Sequence, residues 1–271
     1  MIELKKNEEQ LTNEVMGKIN LSKDKLNLEK HVVNLSKAVV DLSKKNDVDL
    51  GNIKAKVVVA LDYSGSMSAL YRKGTVQKTL NRLVPLGLTF DDNGSIDVYL
   101  FESKYRKFDD LTISNYDDYV EEVINKSGYS MGGTNYAGVL EDIVFGGTRV
   151  ETVQKKGFLG FGKKAVTKEV KGDAIVSEDQ STFVIFITDG ENMDKRETDA
   201  IIRRISKENV FVQFVGIGSE RFNYLQKLDE LDGRERDNTG FVKLGELDAV
   251  SDSELYTSVL EEFASWLKGE Q

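Results

Sequence analysis

Three stretches constrain this chain most: "KVVVAL" at 56–61, "TFVIFIT" at 182–188 and "VFVQFVGI" at 210–217. Each is apolar almost throughout, without the alternation of a strand that keeps one face in water. Between them lie segments with helical spacing. Continuous apolar strands alternating with helices predict a mostly parallel sheet covered on both faces, a doubly wound α/β fold. Further strands are expected at 95–101, entered through the turn "DDNG", and near 241–244. Helices are expected at 69–86, 116–125, 135–145, 195–207, 222–231 and 253–267, for a sheet of five or six strands.

Two segments stand outside that rhythm. Leu28, Val32, Leu35, Val39 and Leu42 recur at spacings of 4, 3, 4 and 3, one face of a helix over about 28–46. That helix either packs on its own domain or serves a coiled coil or partner. His31 beside the stripe is expected at the surface or an edge. The second segment is 147–180, where β-prone arms flank "KKGFLGFGKK", read as an inserted β-hairpin. Six lysines face one glutamate between Lys155 and Lys171. With Phe158, Leu159 and Phe161 at its tip, the hairpin is either a solvated insertion or a contact for an anionic membrane or partner.

Composition removes several functions. The chain has 271 residues and no cysteine, so disulfides, thiolate zinc sites and cysteine nucleophiles are excluded. One histidine, remote from every motif, argues against triad hydrolases and catalytic zinc. A net charge of −9 argues against a nucleic-acid surface. No apolar run reaches a membrane span, and the N-terminus lacks a secretory pattern, so a cytoplasmic location is expected.

The polar residues leaving the apolar strands carry the chemistry. In such sheets ligands bind beyond the carboxyl ends of the strands. Asp62, Ser64 and Ser66 leave the first strand in "DYSGSM"; Thr134 stands in the loop "GGTN"; Asp189 ends the strand before "GEN". Two carboxylates and three hydroxyls suit a hard cation, Mg²⁺ with Mn²⁺ or Ca²⁺ as alternatives, rather than zinc. No third acid is expected nearby to close the site, which leaves a coordination position for an acidic group from a partner. Gly65, Gly132 and Gly133 are expected to permit the tight loops. "DDNGSID" fails as a calcium loop, since Ile96 stands where glycine is required. Tyr63 either lines the rim of the site or packs inward. The acids at 229, 232, 235 and 237 read as a solvated face broken by Arg234 and Arg236.

The D-x-S-x-S turn, the later threonine and the strand-end aspartate resemble the metal-ion-dependent adhesion site of von Willebrand factor A (vWA) domains. The resemblance implies that Asp62, Ser64, Ser66, Thr134 and Asp189 hold the metal, and that a carboxylate of a protein ligand completes its shell. A narrower resemblance, to bacterial tellurite-resistance-type A-domain proteins, rests on "AKVVVALDYSGSM", "YRKGTVQ", "GGTNYAGVL", "VQFVGIGS", "FNYLQKLDEL", "RDNTGFV" and "ELYTSVLEEFASWL". It implies a vWA domain over 54–268 behind an N-terminal extension over 1–53, and a role in stress or toxic-ion resistance. Enzymatic readings fare poorly. Ser64 stands where a dehalogenase-like phosphatase needs its second acid, and no G-x-S-x-G elbow is paired with a histidine. Glu191, the remaining candidate base for a metal-activated water, reads as a solvated loop acid. The chain is therefore expected not to be an enzyme.

Overall fold

The computed structural model describes residues 6–19, 25–156, 163–171, 176–177, 179–246 and 249–269. Its strands are β1 (Ala55–Asp62), β2 (Asp97–Phe101), β3 (Tyr105–Lys107), β4 (Thr148–Lys156), β5 (Lys163–Lys171), β6 (Ser181–Thr188), β7 (Val210–Ile217) and β8 (Thr239–Gly245). The helices are α1 (Glu8–Gly17), α2 (Lys25–Asn46), α3 (Ser68–Arg72), α4 (Thr75–Phe90), α5 (Ala137–Phe145), α6 (Lys195–Ile205), α7 (Asn223–Asp229) and α8 (Asp252–Leu267).

Six strands form one sheet in the order β3-β2-β1-β6-β7-β8, parallel except for β3. β1 lies in its middle, with Ala60 beside Tyr99 of β2 and Phe186 of β6. Alternate β1 residues face opposite cores. Val57, Val59 and Leu61 pack with α4, α8 and α2, whereas Val58 and Ala60 pack with α5, α6 and α7. This two-sided burial is the reason these strands are apolar at every position. β4 and β5 form the expected hairpin as a separate antiparallel pair, running from Thr148 opposite Lys171 to Lys156 opposite Lys163. Phe158, Leu159 and Phe161 lie outside the described residues.

Leu28, Val32, Leu35, Val39 and Leu42 are all buried against the domain. Burying each such side chain is worth roughly 1.5–3 kcal/mol. That outweighs exposed pairs such as Lys45 with Glu261 on α8, worth about 0–1 kcal/mol each. His31 is not a simple surface residue: its Nδ1 lies 2.9 Å from Asp252, which also accepts from Arg82 Nε at 2.8 Å.

Several elements depart from expectation. The helix expected over 69–86 is two, because Gly74 adopts φ +74° and caps α4. Pro85 does not stop α4, which continues to bury Leu86, Leu88 and Phe90 in the core. Residues 116–127 form short 3-10 and π turns instead of one regular helix. α1 arises from a polar stretch through an Asn7–Gln10 capping box and buries Leu11 and Val15.

Candidate functional site

The register of the sheet brings the ends of β1 and β6 together, since Leu61 pairs with Ile187. Asp62, the last residue of β1, is fully buried. Its Oδ1 accepts from the Ser64 amide at 2.8 Å, and its Oδ2 accepts from Thr188 Oγ1 at 2.6 Å. The first contact bends the chain out of the strand in an Asx turn. Ser64 Oγ then lies 2.9 Å from Ser66 Oγ, and Ser66 donates to Asp189 Oδ1 at 2.8 Å. Four of the five residues thus form one hydrogen-bonded chain.

Thr134 is tied to the site through the backbone of its loop. The Gly65 amide donates to Gly132 O at 3.1 Å, and Gly132 N donates to Tyr63 O at 3.4 Å, forming a short parallel bridge between the two loops. Thr134 O accepts from Met193 N at 2.9 Å, tying its loop to the one after β6. The Thr134 hydroxyl makes no hydrogen bond to another described residue. Gly132 lies close under Glu102: a Cβ there would fall 2.1 Å from Glu102 Oε2, so the glutamate or the loop would have to shift. Tyr63 packs inward, edge-on to Tyr71 at 5.0 Å and stacked on Tyr129 at 5.8 Å.

The two carboxylates lack a counter-charge. Burial pushes the Asp62 pKa up to about 6, against the hydrogen bonds from Ser64 and Thr188, and the charge of Asp189 adds to the rise. Asp189 is also raised, chiefly by burial and further by Glu220, although Ser66 opposes the shift. Neither acid forms an ion pair with a described basic residue. A divalent cation would supply the missing charge, and the all-oxygen donor set suits a hard ion. Among the described residues no three acidic or histidine side chains converge on a metal position, so any such site depends on the hydroxyls.

Two further acids lie near the site without converging on it with Asp62 and Asp189. Glu102, buried at the end of β2, lies against Gly132, and Glu220 is close enough to raise Asp189. Glu102 is turned into its own loop, where it accepts from Ser103 N, and from Tyr129 OH at 3.3 Å. Glu191 is exposed and paired with Lys195. The acids at 229–237 are not a uniform solvated face: burial raises Asp229 to about 6, and Arg234 pairs with Asp237 at 2.5 Å.

The sequence reading passed over three supporting residues. Thr188 holds Asp62 while accepting from Tyr136 OH at 3.2 Å. Asp194 accepts from the amides of Tyr136 and Ala137 at 2.9 Å each, which fixes the start of α5 behind Thr134. Thr188 had a signal, standing beside Asp189 at the end of an apolar strand. Tyr136 and Asp194 had none, because their partners come from other elements.

A doubly wound, mostly parallel sheet of six strands with its polar loops gathered at the carboxyl ends of β1 and β6 defines the protein as a vWA domain. The chain belongs to the vWA-TerF-like family, described as the vWA domain found in the TerF C terminus, which matches residues 54–271. It is 34% identical over 221 residues to the uncharacterized protein YcbR of Bacillus subtilis (strain 168), covering 81% of this chain and 80% of that one. Among solved structures it resembles proximal thread matrix protein 1 from the mussel byssus, at 17% identity and a TM-score of 0.52. That match covers 79% of this chain but 48% of the byssus protein, about half its length. Manganese-loaded TRAP protein of Plasmodium vivax matches at 16% identity and a TM-score of 0.49, covering 79% of this chain and 74% of that one. Among the described residues, no helix is long and apolar enough to cross a membrane.

Proposed function

We propose that this protein is a divalent-cation-dependent protein-binding module of the cytoplasm, acting by recognition and not as an enzyme. Asp62 and Asp189 would hold Mg²⁺, or Mn²⁺ or Ca²⁺ in its place, with Ser64, Ser66 and Thr134 as neutral oxygen donors. A carboxylate of the partner would complete the shell. The observation that carries this reading is the pair of acids without a basic partner, linked through Ser64 and Ser66. The resemblance of this chain's motifs to those of tellurite-resistance-type A-domain proteins is the ground for placing it in a stress-resistance setting.

A cation serving only as a structural staple fits less well. The loops are already joined by protein hydrogen bonds, from Gly65 to Gly132, Ser66 to Asp189 and Met193 to Thr134. Gly65 and Ser66 are exposed, so the site faces solvent on the side where a partner would approach. The test is retention of a protein from host lysate on immobilised protein in Mg²⁺. The expected partner is released by EDTA and by excess glutamate-bearing peptide, and does not bind Asp189→Ala. Retention that ignores EDTA and the substitution would overturn the reading.

A further inference from the structure

A cleft of about 730 Å³ opens beside the candidate metal site and shares Ser66 and Asp189 with it. That volume lies within the roughly 300–1,000 Å³ of clefts that enclose whole ligands, far more than a single carboxylate fills. Its lining comes from the segment after β1, from Asp189 after β6, and from the ends of β7 and β8. The segment from Ser66 to Thr75 carries Lys73, and the ends of β7 and β8 carry Glu220, Lys243 and Glu246.

The charges in this cleft are of both signs. Lys243 is occupied in bracing the loop after β7, its Nζ donating to Glu220 O at 2.6 Å and Ser219 O at 3.3 Å. Lys73, Glu220 and Glu246 are exposed and form no ion pair with another described residue. A ligand carrying acids alone would meet Glu220 and Glu246 unfavourably once past the metal. One carrying an acid and a base would find a partner for each, because complementary charge fixes register and rejects wrong partners.

Resting on the function proposed above, we infer that the cleft seats an extended peptide segment of the partner in which the metal-bound acidic residue is accompanied by a lysine or arginine that pairs with Glu220 and Glu246. Lys73, on the segment that also carries Ser66, adds attraction for the acid. Recognition of a mixed-charge segment would let a protein of net charge −9 distinguish one acidic ligand from many.

The test is selection of phage-displayed nine-residue random peptides with one fixed aspartate, on the full-length protein in Mg²⁺ and in EDTA. The expected outcome is Mg²⁺-dependent enrichment with a basic residue at a constant distance from the aspartate. A synthetic consensus peptide should lose about fivefold in affinity when that base becomes alanine, the scale of an exposed ion pair. The loss should vanish in the Glu220→Gln/Glu246→Gln double variant at saturating Mg²⁺. Mg²⁺-dependent enrichment without a basic residue, or a preference that survives the double variant, overturns the inference and leaves metal-dependent binding standing. Absence of any Mg²⁺-dependent enrichment overturns both.

Discussion

Ser66 donates its hydroxyl proton to Oδ1 of Asp189 at 2.8 Å, across a sequence separation of 123 residues. The contact joins the turn after β1 to the end of β6, and the 2.9 Å approach of Ser64 to Ser66 extends the link towards Asp62. Oxygen donors from two strands are therefore held together by the protein's own hydrogen bonds. Preorganisation of this kind lowers the cost of ordering ligands on binding.

Thr188→Val tests the support beneath Asp62. The change is nearly isosteric but removes the 2.6 Å hydrogen bond to Oδ2 of a fully buried carboxylate. Loss of a partner for a buried polar group costs about 1–3 kcal/mol. Urea unfolding should show a destabilisation of that size. Tyr136 keeps its hydrogen bond to Gly190 O, so the start of α5 should hold.

Gly132→Ala tests the junction of the two loops. The new Cβ would lie 2.1 Å from Glu102 Oε2 and 2.9 Å from its Cδ, so the loop or the glutamate must shift. The expected result is weaker Mg²⁺ affinity in calorimetry with unchanged far-UV circular dichroism. Glu102→Ala in the same chain should restore affinity in part, because it removes the clash.

The N-terminal helix α2 is tied down through Asp252. Burial would raise the Asp252 pKa, but the hydrogen bond from His31 and the charges of His31 and Arg82 together hold it below the ordinary value. A depressed carboxyl contributes stability above its unfolded pKa and loses it as pH falls through the folded one. Asp252→Ala removes the carboxylate that His31 and Arg82 share and should cost about 3 kcal/mol near neutral pH. His31→Ala should cost about 1 kcal/mol or less, since Arg82 remains paired. Urea midpoints at pH 7 separate the two.

Glu262 shows the opposite dependence. Burial, then Asp229, Asp237 and Glu261, raise its pKa from 4.5 to about 7. The folded state holds a proton that the unfolded state has released, so this residue makes stability fall as pH rises through that interval. Glu262→Gln should match the native protein near pH 4.5, gain on it as pH rises to 7, and keep a constant advantage above that. Thermal midpoints across the range measure the gap.

Much of the fold was legible because β1, β6 and β7 are buried on both faces, which writes burial directly into composition. The stripe from Leu28 to Leu42 was equally plain, because a helix with one buried face repeats in sequence. Less legible were features set by single positions. The break at Gly74 depends on one left-handed residue, and β3 is an edge strand of three residues with too little pattern to read. At the candidate site, the acids and hydroxyls stood out because they follow apolar strands abruptly. Glu102 and Glu220 did not, because only the register of the sheet brings their strand ends beside those of β1 and β6.

The most direct measurement is calorimetric titration of Mg²⁺, Mn²⁺ and Ca²⁺ into metal-stripped protein and into Asp189→Ala, with the variant first shown to be folded by circular dichroism. The expected result is saturable binding of one divalent cation to the native protein and none to the variant. No binding to the native protein, or equal binding to both, would contradict a metal site built on Asp62, Ser64, Ser66, Thr134 and Asp189.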